Sequence, residues 1–211
     1  AVNASGTSGN SLTGDTITLS GTVGLSLTAF FEGLYLGSST MTAAPYNSDN
    51  LLPDTIADTI TVVLHDDITF DSLYAWRGPI STSGLALANF PGAVNGNDFY
   101  IAIRHRNSIE TWSAAPVTFG SNTSYDFSTA STQAYGDNMA NGGSGVYLIF
   151  TGDINQDGSV DFLDYPDLDV DALNGELGYL VTDLNGDSSV DFLDYPSIDL
   201  NALNGVIMMR P

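Results

Sequence analysis

The sequence predicts a mainly β protein, an immunoglobulin-like antiparallel β-sandwich followed by a small α-helical domain with two EF-hand-type loops. Short segments of alternating or β-branched residues recur up to residue 150, separated by turns rich in Gly, Asn, Pro and Ser. Helical periodicity is absent before residue 160. From residue 153 onward, one acidic motif occurs twice at an offset of 30 residues. These observations divide the chain into an extension over 1–22, a β-domain over 23–151 and a C-terminal domain over 152–211.

The N-terminal extension combines a low-complexity stretch with one strand-like segment. Residues 1–14 are rich in Gly, Ser, Thr and Asn, whereas residues 15–20 (DTITLS) alternate and place Ile17 and Leu19 on one face. Together with Leu12 these residues form the apolar side of a candidate assembly strand. Such a strand would pair with a free sheet edge of a neighbouring copy.

The β-domain is predicted to consist of short strands joined by polar turns. Each predicted strand is apolar and alternating or β-branched, and Gly, Pro, Asn or Ser residues bound it. The sequence HDD at 65–67 is predicted as the turn of one hairpin. The predicted strands are 25–31, 60–64, 68–76, 85–90, 99–104, 109–112, 117–119, 125–127 and 146–150.

The acidic motif reads DINQDGSVDFLDYPDLDVDALNG from Asp153 and DLNGDSSVDFLDYPSIDLNALNG from Asp183, with 16 of 23 positions identical. A loop wrapped around a cation turns alternate side chains inward, so that ligands recur at every second residue. Positions 1, 3, 5, 9 and 12 carry oxygen-bearing side chains, and position 7 offers its backbone carbonyl. The candidate metal ligands are therefore Asp153, Asn155, Asp157, Ser159, Asp161 and Asp164 in the first loop, and Asp183, Asn185, Asp187, Ser189, Asp191 and Asp194 in the second.

This donor set favours calcium, and we expect two Ca²⁺ ions, one in each loop. Calcium takes about 6–8 oxygen ligands, and carboxylates with an amide suit it better than zinc or copper. Asp/Asn/Gly runs also occur in plain turns, but two copies in matching register favour the calcium interpretation. Gly158 occupies position 6, where the chain turns sharply, whereas the second loop has Ser188 there. Val160 and Val190 at position 8 are predicted to link the paired loops.

A short helix is expected after each loop. Pro166 and Pro196 suit a first helical turn, and Gly175 and Gly205 suit a helix end. This loop-plus-helix unit, with Asp rather than Glu at position 12, resembles the duplicated calcium repeat of type I dockerin domains.

Loop positions 10 and 11 depart from the dockerin pattern. Dockerins that bind cohesins usually carry small polar residues there, whereas this chain has Phe162-Leu163 and Phe192-Leu193. A cohesin is therefore not expected as a partner, and the apolar pairs are predicted to pack on a neighbouring surface.

Part of the β-domain also resembles a known bacterial domain. Residues 100–139, including RHRNSIETWSAAPVTF and YDFSTASTQAYGDNM, resemble a domain that precedes dockerin-like repeats in secreted bacterial proteins. With residues 25–37 included, the likeness spans most of residues 23–150. It implies an extracellular, secreted or cell-surface location and the β architecture, but little chemistry.

The charge and composition exclude several functions. The net charge is −21, with four arginines and no lysine, so nucleic acids and anionic membranes lack the basic footprint that they require. No apolar run of about 18 residues is present, so membrane insertion is not expected. Cysteine is absent, which excludes a disulfide framework. Of the 25 acidic residues 13 follow Thr151, and this segment is expected to need its cations to fold.

Two further polar clusters are candidate sites. His65 with Asp66 and Asp67 suggests a catalytic cluster or third metal site, but a polar hairpin turn is the favoured interpretation. The group of Arg104, His105 and Arg106 with Glu110 and Trp112 is interpreted as a charge-paired corner of the sandwich, with a small binding site as the alternative. The chain contains no nucleophile, phosphate-loop or zinc-protease motif, and we predict no enzymatic activity.

Two functions of different class follow from the sequence. The first is a structural subunit of an extracellular, calcium-stabilised filament or pilus-like fibre, a homopolymer in which each copy inserts its N-terminal strand into the next. The second is a secreted module that binds a carbohydrate or protein through the sandwich or the repeat. Assembly that depends on residues 1–20 distinguishes the first from the second.

Overall fold

The computed structural model describes residues 21–211, so the candidate assembly strand with Leu12, Ile17 and Leu19 lies outside the described residues. Over residues 21–211 strands dominate, with three α-helices and four short 3₁₀ helices, at Gly92–Val94, Phe127–Thr129, Ser131–Gln133 and Tyr135–Asp137. The strands and α-helices are β1 (Thr22–Thr28), β2 (Tyr35–Gly37), β3 (Thr40–Met41), α1 (Ala44–Asp49), β4 (Ile56–Asp66), β5 (Ser72–Ser81), β6 (Leu85–Pro91), β7 (Asp98–His105), β8 (Ser108–Trp112), β9 (Val117–Thr118), β10 (Asn122–Asp126), β11 (Ala140–Asn141), β12 (Tyr147–Leu148), α2 (Tyr165–Asn174) and α3 (Tyr195–Asn204).

Two larger sheets form the β-domain. One has the order β10-β1-β6, in which β1 is antiparallel to β6 and parallel to β10. The other has the order β5-β4-β7-β8 with β9 added to β7, and all of its pairs are antiparallel. The mainly β prediction with antiparallel sheets is confirmed, and the architecture is consistent with a β-sandwich. The parallel β1–β10 pair departs from the all-antiparallel expectation.

The core lies between these sheets. In β6 the small residues Ala86 and Ala88 are buried while Leu85 and Leu87 are exposed, which is the alternation of a strand with one face inward. Inward residues of both sheets belong to a single buried cluster with Trp76 and Tyr74 packed at its margin. Burial of such aliphatic and aromatic side chains contributes about 25 cal/mol per Å² of apolar area.

Most predicted strands are present with shifted ends, and three predictions need correction. The segment predicted as a strand over 68–76 begins only at Ser72 and runs to Ser81. The predicted turn at 65–67 is wrong for His65, because β4 continues through His65 and ends at Asp66, where the turn begins. The helix α1 was not predicted, since its six residues are too few to show a helical period. Pro45 in its first turn and the left-handed Asn50 at its end were the available signals.

The two predicted C-terminal helices are present as α2 and α3. Each carries its proline in the first turn and ends at a left-handed glycine, Gly175 or Gly205, with a φ of 64° in both cases. A second buried cluster joins the loops and helices, and it includes Ile109 from β8 of the β-domain. Within residues 21–211, no helix has the length and apolar character needed to cross a bilayer.

Candidate calcium-binding loops

Each acidic loop is wound by hydrogen bonds from its own backbone to its own side chains. In the first loop Asp153 Oδ2 accepts a bond from the Gly158 amide at 3.3 Å, and Asn155 Oδ1 accepts one from the Asp157 amide at 2.8 Å. In the second loop the corresponding bonds measure 3.1 Å and 2.8 Å. The repeat in sequence is therefore a repeat in geometry.

The carboxylate at position 12 closes each loop. Asp164 Oδ1 accepts hydrogen bonds from the amides of Ile154 at 2.8 Å and Asn155 at 3.0 Å, and its Oδ2 accepts one from the Asp161 amide at 2.9 Å. Asp194 makes the same three bonds in the second loop. Both carboxylates are buried. The carboxylate at position 12 thus joins the two ends of the loop through hydrogen bonds alone.

Two left-handed residues shape each loop, and the two copies use glycine at different ones. The first loop has Gln156 at position 4 with φ 60° and Gly158 at position 6 with φ 90°. The second loop has Gly186 at position 4 with φ 74° and Ser188 at position 6 with φ 73°. Each loop therefore contains one glycine and one strained residue in the left-handed region. The strained Ser188 of the second loop thus has a counterpart in Gln156 of the first loop.

Crowded, buried carboxylates make these loops electrostatically unfavourable without a counter-charge. Burial, with the nearby Asp164 charge, raises the pKa of Asp153 to about 7. Burial likewise raises the pKa of Asp183 to about 6, although the Arg106 charge opposes this rise. The pKa values of Asp164 and Asp194 are also raised by burial. A divalent cation reverses this effect, because its charge stabilises the ionised carboxylates.

The residues present fit an oxygen-liganded cation. Asp153 Oδ1 is buried and has no hydrogen-bond partner among residues 21–211, which leaves an acceptor available for a metal. However, no three His, Cys, Asp or Glu side chains in the described part of the chain are grouped as a metal site. Binding would therefore require carboxylates to draw together and would also use the asparagine and backbone carbonyl oxygens of each loop.

The loops pair crosswise with the segments that follow the helices. Ser159 of the first loop forms an antiparallel bridge with Ile207 after α3, and Ser189 of the second loop forms one with Leu177 after α2. Val160 and Val190, predicted to link the loops, are both buried in the shared cluster. The Val160 amide, however, donates to Val206 and not to Val190. Each repeat is thus completed by the other.

The second loop is fixed to the β-domain by side-chain amides that the sequence analysis did not single out. Asn107 Nδ2 donates to the carbonyl oxygen of Val181 at 3.0 Å and to that of Asp183 at 3.4 Å. Asn47 Nδ2 on α1 donates to the carbonyl oxygen of Gly186 at 2.9 Å. Gly33 permits a close approach, because a Cβ there would collide with the Leu184 carbonyl oxygen. The Asn residues show no periodic pattern that would have marked them in advance.

The group of Arg104, His105 and Arg106 is charge-paired. Arg104 forms an ion pair with Glu110, which also accepts a hydrogen bond from the Trp112 indole. Arg106 Nε and His105 Nε2 lie 3.0 Å and 3.1 Å from Oδ2 of the fully buried Asp58. The structural interpretation therefore agrees with the observed contacts.

Asp58 links this corner to the C-terminal unit. Tyr179, which precedes the second loop, donates a hydrogen bond to Asp58 Oδ1, and the Arg106 guanidinium lies over the Tyr179 ring. Burial alone would raise the pKa of Asp58, but the charges of His105 and Arg106 hold that pKa well below its ordinary value. Nothing in the local sequence distinguishes Asp58 from the other acidic residues, so it was missed.

His65 is a buried strand residue and not part of a polar turn. Its ring lies 4.0 Å, centroid to centroid, from the Trp112 ring, and its Nδ1 lies 3.0 Å from the Phe70 carbonyl oxygen. Burial lowers the pKa of His65. Asp66, by contrast, accepts hydrogen bonds from the Ile68 and Thr69 amides and begins the turn. The three residues therefore do not form a joint catalytic or metal cluster.

Repeat-related apolar side chains are exposed on the C-terminal unit. Phe162 and Phe192 have 75% and 76% of their surfaces exposed. Ten exposed apolar residues form five pairs whose members lie 30 positions apart, and the pairs are Phe162/Phe192, Leu163/Leu193, Val170/Leu200, Leu173/Leu203 and Leu177/Ile207. Exposed apolar side chains mark an interaction site where they form a contiguous patch.

No protein-family model matches this chain, and no curated protein sequence matches it. Among solved structures it is similar to a chain of a type II cohesin–X-dockerin complex from Acetivibrio cellulolyticus that carries an N-terminal interface mutation. The similarity covers 85% of this chain and 95% of that chain, at 13% identity and a TM-score of 0.46. A TM-score of this size does not establish a shared fold.

Proposed function

We propose that this protein is a structural subunit of an extracellular, calcium-stabilised filament, in which the N-terminal strand of one copy pairs with the β-domain of the next. Calcium bound in each loop would supply the positive charge that the buried carboxylates lack. The hydrogen bonds of Asn107 and Asn47 would then hold the calcium-bound second loop in a fixed position on the β-domain. The proposal assigns the chain no catalytic role.

The observation that carries this proposal is the edge strand β6, which packs near β5 without forming a ladder with it. Within residues 21–211, β6 pairs with β1 on one side and with no strand on the other. Its outward residues Leu85 and Leu87 are 41% and 63% exposed. An apolar edge strand recruits another strand unless it is covered. Ile17 and Leu19 of a neighbouring copy would form cross-strand pairs with these leucines.

Electron microscopy of the full chain tests the filament. Millimolar calcium should give fibres, and a chelator or deletion of residues 1–20 should give separate particles. A synthetic peptide of residues 11–20 should bind the deleted chain, whereas a matched peptide with serine at Leu12, Ile17 and Leu19 should not. Separate particles from the intact chain in calcium would contradict the proposal, since residues 1–20 would then pair within their own copy.

A second candidate function is a secreted binding module, and the exposed apolar pairs of the C-terminal unit favour it. Phe162 and Phe192 would contact the surface of a partner protein. Under this alternative, the intact chain stays monodisperse with or without a chelator. Replacing Phe162 and Phe192 by serine would then abolish partner binding, while deletion of residues 1–20 would leave it intact.

A further inference from the structure

Three of the four arginines in the chain line one cavity of about 270 Å³ on the outer face of the five-stranded sheet. These are Arg77, Arg104 and Arg106, and the other lining residues include Thr59, Thr61 and Tyr179. A chain with a net charge of −21 has few cations to place. Their concentration at one point creates a local basic site on an otherwise acidic molecule.

The sheet register brings two of these arginines to one point. Thr61 on β4 lies directly opposite Arg77 on β5 and directly opposite Arg104 on β7. Directly opposite residues share a face and have Cβ atoms about 4.5–5.5 Å apart, so two long guanidinium side chains can meet above Thr61. Glu110 already pairs with Arg104, so Arg77 contributes the uncompensated positive charge at this point of the sheet.

The donors in this cavity are largely unused. Among residues 21–211, Arg77 has neither an ion pair nor a side-chain hydrogen bond, and the hydroxyls of Thr59 and Thr61 have no partner. Arg104 engages Glu110 through Nε, which leaves its terminal nitrogens for another acceptor. Arg106 is different, because Asp58 already neutralises it. The cavity therefore presents hydrogen-bond donors and one unbalanced positive charge.

We propose that this cavity binds an oxyanion of a small ligand, a sulfate or carboxylate group held by Arg77, Arg104 and the Thr61 hydroxyl. Planar guanidinium groups present paired donors that match an oxyanion. The chemistry admits a free inorganic ion or the carboxylate of an acidic sugar. The inference is independent of calcium binding and of filament assembly.

Nuclear magnetic resonance titration of the full chain, at saturating calcium and constant ionic strength, tests the site with three probes. Sulfate represents the free ion, glucuronate represents the sugar carboxylate, and glucose is the neutral control. Saturable shifts should centre on the amides of Thr59, Thr61 and Arg104. Stronger binding of glucuronate than of sulfate would identify an acidic sugar as the source, and the reverse would identify an inorganic ion.

Two variants with the same change of charge separate a built site from general attraction. Arg77→Gln should lower the affinity about tenfold or more, because it removes charge-assisted hydrogen bonds. Arg210→Gln, which does not line the cavity, should leave the affinity unchanged. Equal losses in both variants, shifts that never saturate, or equal shifts with glucose would overturn the proposal.

Discussion

The hydroxyl of Tyr165 on α2 donates a hydrogen bond to Oδ1 of Asp199 on α3 at 2.8 Å. The repeat-related residues make the same bond in the opposite direction, from Tyr195 on α3 to Asp169 on α2, also at 2.8 Å. Burial and the carboxylate acceptor raise the pKa of Tyr195 to about 12, so its hydroxyl stays a donor at neutral pH. The two helices thus hold each other through a reciprocal pair of bonds.

Tyr165→Phe and Tyr195→Phe should each lower the free energy of unfolding by about 1 kcal/mol, because each removes one intramolecular hydrogen bond. The effects should be equal within error, since the two bonds have the same length and chemistry. Urea denaturation at saturating calcium provides the measurement. Tyr147→Phe is the control, because the Tyr147 hydroxyl has no bond to any residue that the structure describes. An effect confined to one helix would show that the reciprocal arrangement is wrong.

Asn201 is one of the positions at which the two repeats differ. Its Nδ2 donates to Glu32 Oε2 at 2.5 Å and to the Thr151 carbonyl oxygen at 2.7 Å, both in the β-domain part of the chain. The corresponding residue of the first repeat, Asp171, instead accepts a bond from the Thr182 hydroxyl. The amide is thus required where the second helix meets the β-domain.

Asn201→Asp should therefore destabilise the protein by about 3 kcal/mol or more, because it buries a carboxylate against two acceptors. Asp171→Asn is the matched control and should change stability by less than about 1 kcal/mol, since its amide oxygen still accepts the Thr182 bond. Thermal unfolding at fixed calcium gives both values. Adding Glu32→Gln to Asn201→Asp should recover part of the loss. No difference between the two single variants would contradict the described interface.

Gly186 is required both for its left-handed backbone and for lack of space around its Cα. A comparison with Gly205, which has only the left-handed backbone, separates the two effects. The φ of Gly186 is 74°, and a Cβ there would lie 2.8 Å from atoms of Ala44 and Leu34. Gly205 has a φ of 64° but open space around it. Gly205→Ala should cost about 1 kcal/mol from backbone strain alone, and Gly186→Ala should cost clearly more.

Ser188→Gly is the converse change in the same loop. Ser188 adopts a φ of 73°, and glycine there should stabilise the protein by up to about 1 kcal/mol. Denaturant unfolding at saturating calcium compares it with the wild type. A loss of stability in Ser188→Gly would show that the serine side chain contributes something beyond backbone strain.

Asp58 should make the free energy of unfolding depend on pH in the acidic range. The groups that face it are His105, Arg106 and Tyr179, and they hold its pKa below the ordinary value of 3.8. Its contribution to stability is therefore fully present above about pH 4 and is lost as the pH falls below that value. Asp58→Asn should lower the free energy of unfolding by about 3 kcal/mol at neutral pH. The difference from the wild type should shrink below pH 4, and a difference that is constant down to pH 2 would contradict the pairing.

The sequence predicted local features well because local chemistry produces them. The prolines at the start of α2 and α3 and the glycines at their ends follow from backbone preference, and the structure contains both. Alternation predicted strands such as β6, where one face is buried. His65 was misread because polar residues in HDD are typical of turns, whereas its ring packs on Trp112 from a distant strand.

Long-range contacts could not be predicted from the pattern. Asp58, Asn107 and Asn201 are polar residues whose burial depends on how the C-terminal unit meets the β-domain. Neither periodicity nor motif spacing predicts these contacts, because the partners lie 47 to 169 positions apart. The Arg77 and Arg104 pair likewise becomes visible only when the register places both opposite Thr61.

Calorimetric titration of calcium into the metal-free full chain tests the central claim most directly. We predict two ions bound per chain, reduced to one by Asp153→Asn or Asp183→Asn and to none by the double variant. At calcium concentrations about 100 times the dissociation constant, each ion should add about 2.7 kcal/mol to the free energy of unfolding. A titration that shows no bound calcium, or the same stoichiometry in the double variant, would contradict the account.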